Sequence, residues 1–282
     1  MKSIIKIVII VIVIFNFHKV GIAQNKVIDT YDIELSQPNE TGKLIVDLHN
    51  GTLQVEGYKG KEVIVQFVEK ETSKKNQNWI WGEDGKLVQK DASKKGLKKL
   101  SNNHIELEIE EDNNRVFVKG SHNHRSDLII KVPINFSLQL KTHHNGSILV
   151  KEVIGEHEIT AHHGKITMED IGGSVIADTH HGAITASLVS VIPNVPMAFS
   201  TYHGDVDITL PSSVKCDTKI KTAKGDVYTD FELELKNVPE STISSTGRKQ
   251  IKIGGWMHGK IGNGGAEFLF NTHHGDVVIR QL

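Results

Sequence analysis

Cysteine, aromatic residues and proline are all scarce in this sequence. It contains one cysteine, six prolines and only 6% aromatic residues among 282. A single cysteine excludes an internal disulfide framework. Cys216 lies on the apolar side of an alternating stretch, and we interpret it as a buried, inert thiol. Because aromatic residues are few, the hydrophobic content is mostly Ile, Val and Leu, a mixture that favours β-strands.

Excess positive charge and recognisable catalytic motifs are missing as well. The sequence has 33 basic against 34 acidic residues, which argues against a nucleic-acid-binding surface. It has no Gly-x-Ser-x-Gly, no His-Glu-x-x-His and no nucleotide-binding glycine loop. No long amphipathic helix is predicted after residue 24. The chain is therefore predicted not to be an enzyme.

The N-terminus has the pattern of a secretory signal peptide. Lys2 and Lys6 precede an apolar run, and Gly21-Ile22-Ala23 supplies the small residues of a cleavage site. We expect residues 1–23 to be removed, which leaves 30 basic against 34 acidic residues. The alternative is that the segment stays uncleaved and anchors the protein, which would be its only means of membrane association. The apolar run is, however, shorter than the roughly 20 residues of a membrane span. No cysteine adjoins the site, which argues against a lipid anchor.

A short phrase recurs along the chain: a small residue, two polar residues that are often His, a Gly, any residue, then Ile or Val. Examples are Thr142-His143-His144-Asn145-Gly146-Ser147-Ile148 and Thr179-His180-His181-Gly182-Ala183-Ile184. The recurring glycine is interpreted as a turn residue that needs an unusual backbone conformation or a close backbone approach. These predicted structural turn glycines are Gly51, Gly146, Gly164, Gly182, Gly204, Gly225 and Gly275.

The spacing of the phrase predicts the fold class. The glycines from Gly146 to Gly225 follow one another at steps of 18, 18, 22 and 21 residues, and apolar residues alternate within each step. Units of this length have one apolar stripe each and bury it by stacking. We predict an all-β, single-chain parallel β-solenoid, β-helix-like, with coils of about 18–22 residues. An antiparallel sandwich of short strands is the alternative.

The coils are expected to share one internal column. Its members are Ile148, Ile166, Ile184, Val206, Val227 and Val277. A second column is expected to hold Val153, Ile171 and Val189. The final repeat, residues 266–280, is expected to cap the stack, because an uncapped end would expose strand edges.

Outside the repeats the pattern is less regular. Residues 24–141 are predicted to form an N-terminal β region with a long polar insertion at 71–103. Residues 142–282 are predicted to hold the repeats and a C-terminal cap. We favour the interpretation that both parts form one continuous domain, 24–282. The insertion contains Trp79 and Trp81, candidate ligand-binding residues, because long loops are often functional. A solvated loop is the alternative.

These features resemble the putative-adhesin β-strand-repeat family, a domain of unknown function in exported bacterial proteins of Bacteroidetes type. The resemblance rests on the His/Asn-Gly-x-Ile/Val phrases, on Asp127-Leu128-x-Ile130-x-Val132-Pro133 and on Gly225-Asp226-Val227-Tyr228. It extends over most of residues 40–280 and implies an exported β-solenoid without established catalytic residues. This chain departs from the family in carrying His where relatives more often carry Asn or Ser.

The histidines are the unusual chemical feature, with 16 in the sequence. If consecutive coils stack about 4.8 Å apart, imidazoles at equal offsets from successive glycines could share Zn²⁺ or Cu²⁺. The candidate metal ligands are His162, His163, His180, His181 and His203. The alternative is that His is a polar turn residue copied with the repeat, in which case the protein has no cofactor.

Asp205, Asp226 and Asp276 each follow a repeat glycine and are interpreted as turn residues. The predicted function is that of an exported envelope or cell-surface protein, periplasmic, surface-exposed or secreted. It would act as a non-catalytic, adhesin-like binding or structural module for a glycan, protein or cell-surface ligand. An exported metal-binding protein is the alternative, and a polysaccharide-acting enzyme is the third hypothesis.

Overall fold

The computed structural model describes residues 26–69, 79–81, 87–89, 107–122, 124–144, 146–236, 240–243, 249–252 and 255–282. All regular secondary structure in these ranges is β-strand, which confirms the all-β class. In these ranges no helix is long and apolar enough to span a membrane. The predicted signal segment, 1–23, and most of the insertion at 71–103 lie outside the described residues.

The described strands follow one another along the whole chain. In the first half they are β1 (Lys26–Glu34), β2 (Gly42–Asn50), β3 (Leu53–Tyr58), β4 (Glu62–Glu69), β5 (Trp79–Trp81), β6 (Leu87–Gln89), β7 (Leu107–Asp112), β8 (Arg115–Gly120), β9 (Leu128–Pro133), β10 (Phe136–His144), β11 (Ile148–Lys151) and β12 (Ile154–His163). In the second half they are β13 (Ile166–His181), β14 (Ile184–Val191), β15 (Met197–His203), β16 (Val206–Leu210), β17 (Cys216–Lys224), β18 (Val227–Thr229), β19 (Leu233–Lys236), β20 (Glu240–Ile243), β21 (Lys249–Lys252), β22 (Met257–Ile261), β23 (Glu267–His274) and β24 (Val277–Gln281).

The repeats form two ladders of parallel strands. The first ladder runs in space β8, β2, β10, β12, the end of β13, β15, β23, β17. The second runs β9, β3, β11, the start of β13, β14, β16, β24, β18. One strand of the first ladder and the strand of the second that follows it make up a coil. The predicted boundary between the N-terminal β region and the repeats, at residues 141 and 142, falls inside β10. One buried hydrophobic cluster contains residues from Leu35 to Ile279.

The predicted internal column is confirmed in its register. Ile148 pairs with Ile166, and Ile166 with Ile184. Ile184 then pairs with Val206, and the column continues through Val277 to Val227. All but the last of these side chains are buried, because the alternation of apolar residues along each strand directs them all to the inside.

The second predicted column is wrong at one position. Ile171 pairs with Leu188, which is buried, whereas Val189 is 44% exposed. The register shifts between Met168 and Ile171, where Asp170 adopts a φ of 53°. An irregularity of this kind changes which residues face the core, and the alternation on either side of it gives no sign of the shift.

Strand pairing at both ends of the stack is antiparallel, so the sheet is mixed, whereas a parallel β-solenoid was predicted. At one end β7 pairs with β8, and β4 pairs with both β9 and β1. At the other end β22 pairs with β17 and β19. These strands occupy edges that would otherwise present unpaired backbone groups.

The C-terminal repeat is not the outermost coil, contrary to the expectation of a cap. Strands β23 and β24 lie between the coil β15–β16 and the coil β17–β18. The N-terminal coil is placed in the same way, since β2–β3 lies between β8–β9 and β10–β11. At each end, therefore, the coil nearest the chain terminus is inserted between two others.

Candidate functional site

The recurring glycines form a column at the turn between the two ladders. A Cβ atom added at Gly164 would lie 2.2 Å from the carbonyl oxygen of Gly146, and one at Gly182 would lie 2.4 Å from that of Gly164. Gly182, Gly204 and Gly275 also have φ values of 153°, 143° and 149°. The turn therefore requires glycine for close approach of successive coils and for its backbone conformation.

Threonine hydroxyls hold this column together. They are buried or half-buried, and each donates a hydrogen bond to a glycine carbonyl of the neighbouring coil. The bonds are Thr179 to Gly164 (3.0 Å), Thr201 to Gly182 (2.8 Å), Thr272 to Gly204 (2.8 Å) and Thr222 to Gly275 (2.8 Å). The side chains that follow each threonine are thereby fixed relative to those of the next coil.

Two rows of rings lie along this turn, which we call the histidine edge. The first row consists of the residues two positions before the glycine, His162, His180, Tyr202 and His273. The second row consists of the residues immediately before the glycine, His163, His181, His203 and His274. His144, two positions before Gly146, meets the end of this row edge to face at His163.

The second row is a stack of imidazoles at the spacing of the strands. Ring centroids of His163 and His181 are 4.9 Å apart, those of His181 and His203 also 4.9 Å, and those of His203 and His274 4.5 Å. The interplanar angles are 8°, 18° and 23°, so the rings meet face to face. The expected alignment across coils is therefore present.

The first row stacks in the same way and includes a tyrosine. Centroid distances are 5.5 Å from His162 to His180, 5.2 Å from His180 to Tyr202 and 4.6 Å from Tyr202 to His273. The row shows that tyrosine fits the position without interrupting the stack.

The two histidines of a doublet contact each other, although neighbouring residues of a regular strand point to opposite faces. Nδ1 of His162 lies 2.9 Å from Nδ1 of His163, and the corresponding distance is 2.8 Å in His180–His181 and in His273–His274. The reason is that the doublet ends its strand: Thr179 is still buried, whereas His180 and His181 are both exposed as the chain enters the turn.

The edge extends beyond the residues predicted for it. His49 lies in the early copy of the phrase, and its ring centroid is 4.9 Å from those of both His122 and His144. The offset of His49 from Gly51 matches that of the later doublets and could have identified it. His122 lies in no copy of the phrase, and only the pairing of β8 with β2 brings it to the edge.

The electrostatics of the edge disfavour protonation. The pKa values of His49, His162, His181 and His274 are all lowered, first because contact with neighbouring groups removes water from the rings. Positive charge nearby lowers them further, from other imidazoles and, for His274, from Lys224. The lowered values keep these rings neutral at pH values where an isolated histidine would begin to charge.

Aspartates form a column on the other side of the glycines. Asp205 Oδ1 accepts a hydrogen bond from the backbone N–H of Asp276 at 2.9 Å, and Asp276 Oδ1 accepts one from the N–H of Asp226 at 2.9 Å. The carboxylates thus join successive turns, which is the role interpreted for them from the sequence.

Two other predicted features stand apart from the edge. Cys216 is fully buried, and burial raises the pKa of its thiol to about 12, so it stays protonated and unreactive. Trp79 and Trp81 lie in β5, which pairs with β6, but their side chains lie outside the described residues.

No known protein-family profile matches the chain, and no curated protein matches it. Two solved structures are similar to it. One is a "putative cell adhesion protein" from Clostridium sporogenes, with 14% identity, 92% of this chain and 100% of that chain covered, and a TM-score of 0.42. The other is a "putative adhesin" from Bacteroides fragilis, with 11% identity, 93% and 100% covered, and a TM-score of 0.28. Both names refer to adhesion.

Proposed function

We propose that this chain is an exported, non-catalytic binding or structural module of adhesin type, and that the histidine edge is its contact surface. The single observation that carries the proposal is the repetition of one exposed surface along the stack. Rings at equal offsets follow one another at 4.5–4.9 Å from His163 to His274. A surface that repeats at the strand spacing suits a polymeric or surface-displayed glycan or protein better than one small molecule.

The stack that displays the edge is proposed to be a β-solenoid with antiparallel ends. The support is that successive coils pair in parallel, with His181 opposite His203 in the first ladder and Ile184 opposite Val206 in the second. This register holds although the chain steps between coils differ in length. A rigid stack of this kind presents its side chains in fixed positions, which lowers the conformational entropy lost on binding.

The hydrogen-bond partners of the polar groups at the edge also favour a binding role over a catalytic one. Within the described residues, the rings of each doublet face one another, and the Asp205 and Asp276 carboxylates accept backbone N–H groups. A general base, in contrast, needs to be directed at the proton that it removes. These groups interact with one another and with the backbone, and so maintain the shape of the edge.

Export is proposed from the sequence alone, on the basic start, the apolar run and the small residues before Gln24. Expression in a bacterial host followed by fractionation tests it. We expect protein that begins at Gln24 outside the cytoplasm. A cytoplasmic product that retains Met1 would contradict the proposal.

The binding role is tested by adsorption of the purified protein to glycan and protein arrays and to isolated bacterial envelopes. The test variant is His163→Asn with His181→Asn and His203→Asn, because the same column already holds an asparagine at Asn50. Retention should fall at least about ten-fold if several contacts of about 0.5–1 kcal/mol each are lost. The control is Ile192→Thr on the opposite turn. Equal retention of all three proteins would exclude the edge as the contact surface.

A further inference from the structure

Each histidine doublet brings its two Nδ1 atoms to hydrogen-bond distance in a bent arrangement. A straight Nδ1–H···Nδ1 bond of the observed length would hold the two ring centroids about 5 Å apart, because each centroid lies behind its nitrogen. The centroids are only 4.4 Å apart in His162–His163, 4.3 Å in His180–His181 and 4.4 Å in His273–His274. The two rings therefore depart from a straight hydrogen bond, and once the proton between them is displaced both Nδ1 atoms can bind one ion placed beside the doublet.

The distance between the nitrogens, which is that of the hydrogen bond between the rings, matches a tetragonal ion more closely than a tetrahedral one. Metal–nitrogen bonds to imidazole are about 2.0–2.1 Å long, so nitrogens separated by 2.8–2.9 Å subtend about 90° at the ion. A tetrahedral ion would need them about 3.3 Å apart. Right angles between nitrogen ligands are typical of tetragonal Cu²⁺ and Ni²⁺, and Cu²⁺ binds such ligands more strongly than the other first-row divalent ions.

We infer that His162–His163, His180–His181 and His273–His274 are bidentate Nδ1 sites for a tetragonal divalent cation, Cu²⁺ above all. This assignment goes beyond the proposed binding function and differs from an ion shared between coils. Across coils the rings of His163 and His181 stack face to face at an interplanar angle of 8°, so their faces, and not their lone pairs, meet. Each ion therefore belongs to one coil.

Solvent would complete the coordination. Among the described residues no group of three or more His, Cys, Asp or Glu side chains could hold an ion, so each site has two protein ligands. His162, His163, His180 and His181 are exposed, which leaves the remaining positions open to water. Binding is thus expected to be weaker than in a closed three- or four-ligand site and open to exchange.

The order of the coils limits how many ions bind at once. His162–His163 and His180–His181 lie in neighbouring coils, and two divalent ions at that separation would repel each other. The coil that holds Tyr202 and His203 separates His180–His181 from His273–His274. We expect about two ions per chain at saturation, one on either of the first two doublets and one on the third.

The turn holds the doublets ready for the ion. Thr179 and Thr272 bond to the glycine carbonyls of neighbouring coils, and the glycine column leaves no space for a shift of the turn. Ligands already in position lose little entropy on binding. The doublet at Tyr202–His203 has the same backbone but lacks one imidazole, and it therefore provides a natural reference.

The experiment uses the purified protein without a polyhistidine tag, washed with a chelator. Titrations with Cu²⁺ and with Zn²⁺ are followed by calorimetry, and the Cu²⁺ complex is examined by electron paramagnetic resonance. The test variant combines His162→Tyr, His180→Tyr and His273→Tyr, which reproduces the Tyr202–His203 pattern in each coil. The control is His203→Asn, which removes an imidazole of the second row but no doublet.

The expected result is about two Cu²⁺ ions with a tetragonal spectrum that shows two nitrogen ligands, and Zn²⁺ affinity at least about ten-fold lower. The triple variant should lose these ions and the control should keep them. His273→Tyr alone should remove one ion, which keeps the test decisive if the triple variant folds poorly. Unchanged binding by either tyrosine variant, or loss of binding in His203→Asn, would overturn the inference. Adsorption to envelopes in the presence of chelator reports on the proposed binding function separately.

Discussion

Each coil turns once at the histidine edge and once at the opposite edge, and the two turns vary to different degrees. The chain from Gly164 to Gly182 takes 18 residues and that from Gly182 to Gly204 takes 22, yet His181 still lies opposite His203. The added residues lie in the opposite turn: β13 passes through it without a break, whereas residues 192–196 separate β14 from β15.

The difference between the edges follows from whether the close approach of the backbones recurs from coil to coil. At the histidine edge a Cβ at Gly204 would lie 2.4 Å from the carbonyl oxygen of Gly182, so successive turns have to match. At the opposite edge Gly173 approaches Gly155 as closely, since a Cβ at Gly173 would lie 1.9 Å from that carbonyl oxygen, but in the next coil the residues around Pro193 and Asn194 are exposed and are free to vary in number. The length and sequence of the repeat are therefore maintained where the backbones of successive coils are in contact.

The largest effect is expected from a side chain in the glycine column. Gly182→Val should lower the free energy of unfolding by about 4 kcal/mol, because it combines backbone strain with a clash against the next coil. Pro193→Ala, in the opposite turn, should change it by less than about 1 kcal/mol. Urea denaturation of both variants measures the difference, and similar values for the two would contradict the comparison.

The second effect concerns His157, which is buried, in contrast to the exposed and half-buried histidines of the edge. Burial lowers its pKa to about 4, while Nε2 lies 3.2 Å from the carbonyl oxygen of Gly172. Because the folded state takes up this proton less readily than the unfolded state, stability is full above about pH 6.5 and falls as the pH drops toward about 4. The loss from this residue should be about 3 kcal/mol.

His157→Leu is the matched variant, because the same column holds Leu138 and Val175. Denaturation at a series of pH values should show a shallower loss of stability in the variant between pH 6.5 and 4. Parallel profiles for the two proteins would mean that His157 is not the group responsible.

The smallest effect is expected from one hydrogen bond of the edge. Thr201→Ala removes the bond to the Gly182 carbonyl and should cost about 1 kcal/mol of unfolding free energy. Ala161 occupies the position opposite Thr179 in the same column, so alanine fits there. Ser190→Ala, exposed near the opposite turn, serves as control with an expected change below about 0.5 kcal/mol. Thermal melts should rank the two variants in this order, and a reversed order would count against the comparison.

Much of the edge could be predicted because its causes are local. The alternation around Ile166 and Ile184 and the equal offsets from Gly164 and Gly182 were enough to align these coils. The contact within each doublet depends on the turn, because strand alternation by itself assigns neighbouring residues to opposite faces and only the turn reverses this. His122 was missed for a related reason, since nothing in its own segment indicates the coil beside it.

The sequence by itself determined the all-β class, the repeat and the residues that face inward, because these depend on alternation and glycine spacing along the chain. The tertiary structure decided the order of the coils. Val227 and Val277 occupy the same place in the same phrase, so either could follow Val206 by local pattern. The structure places Val277 there and Val227 beyond it. Copies with equal local preferences are distinguished only by the packing of the whole stack, including the antiparallel strands that pair with its last edges.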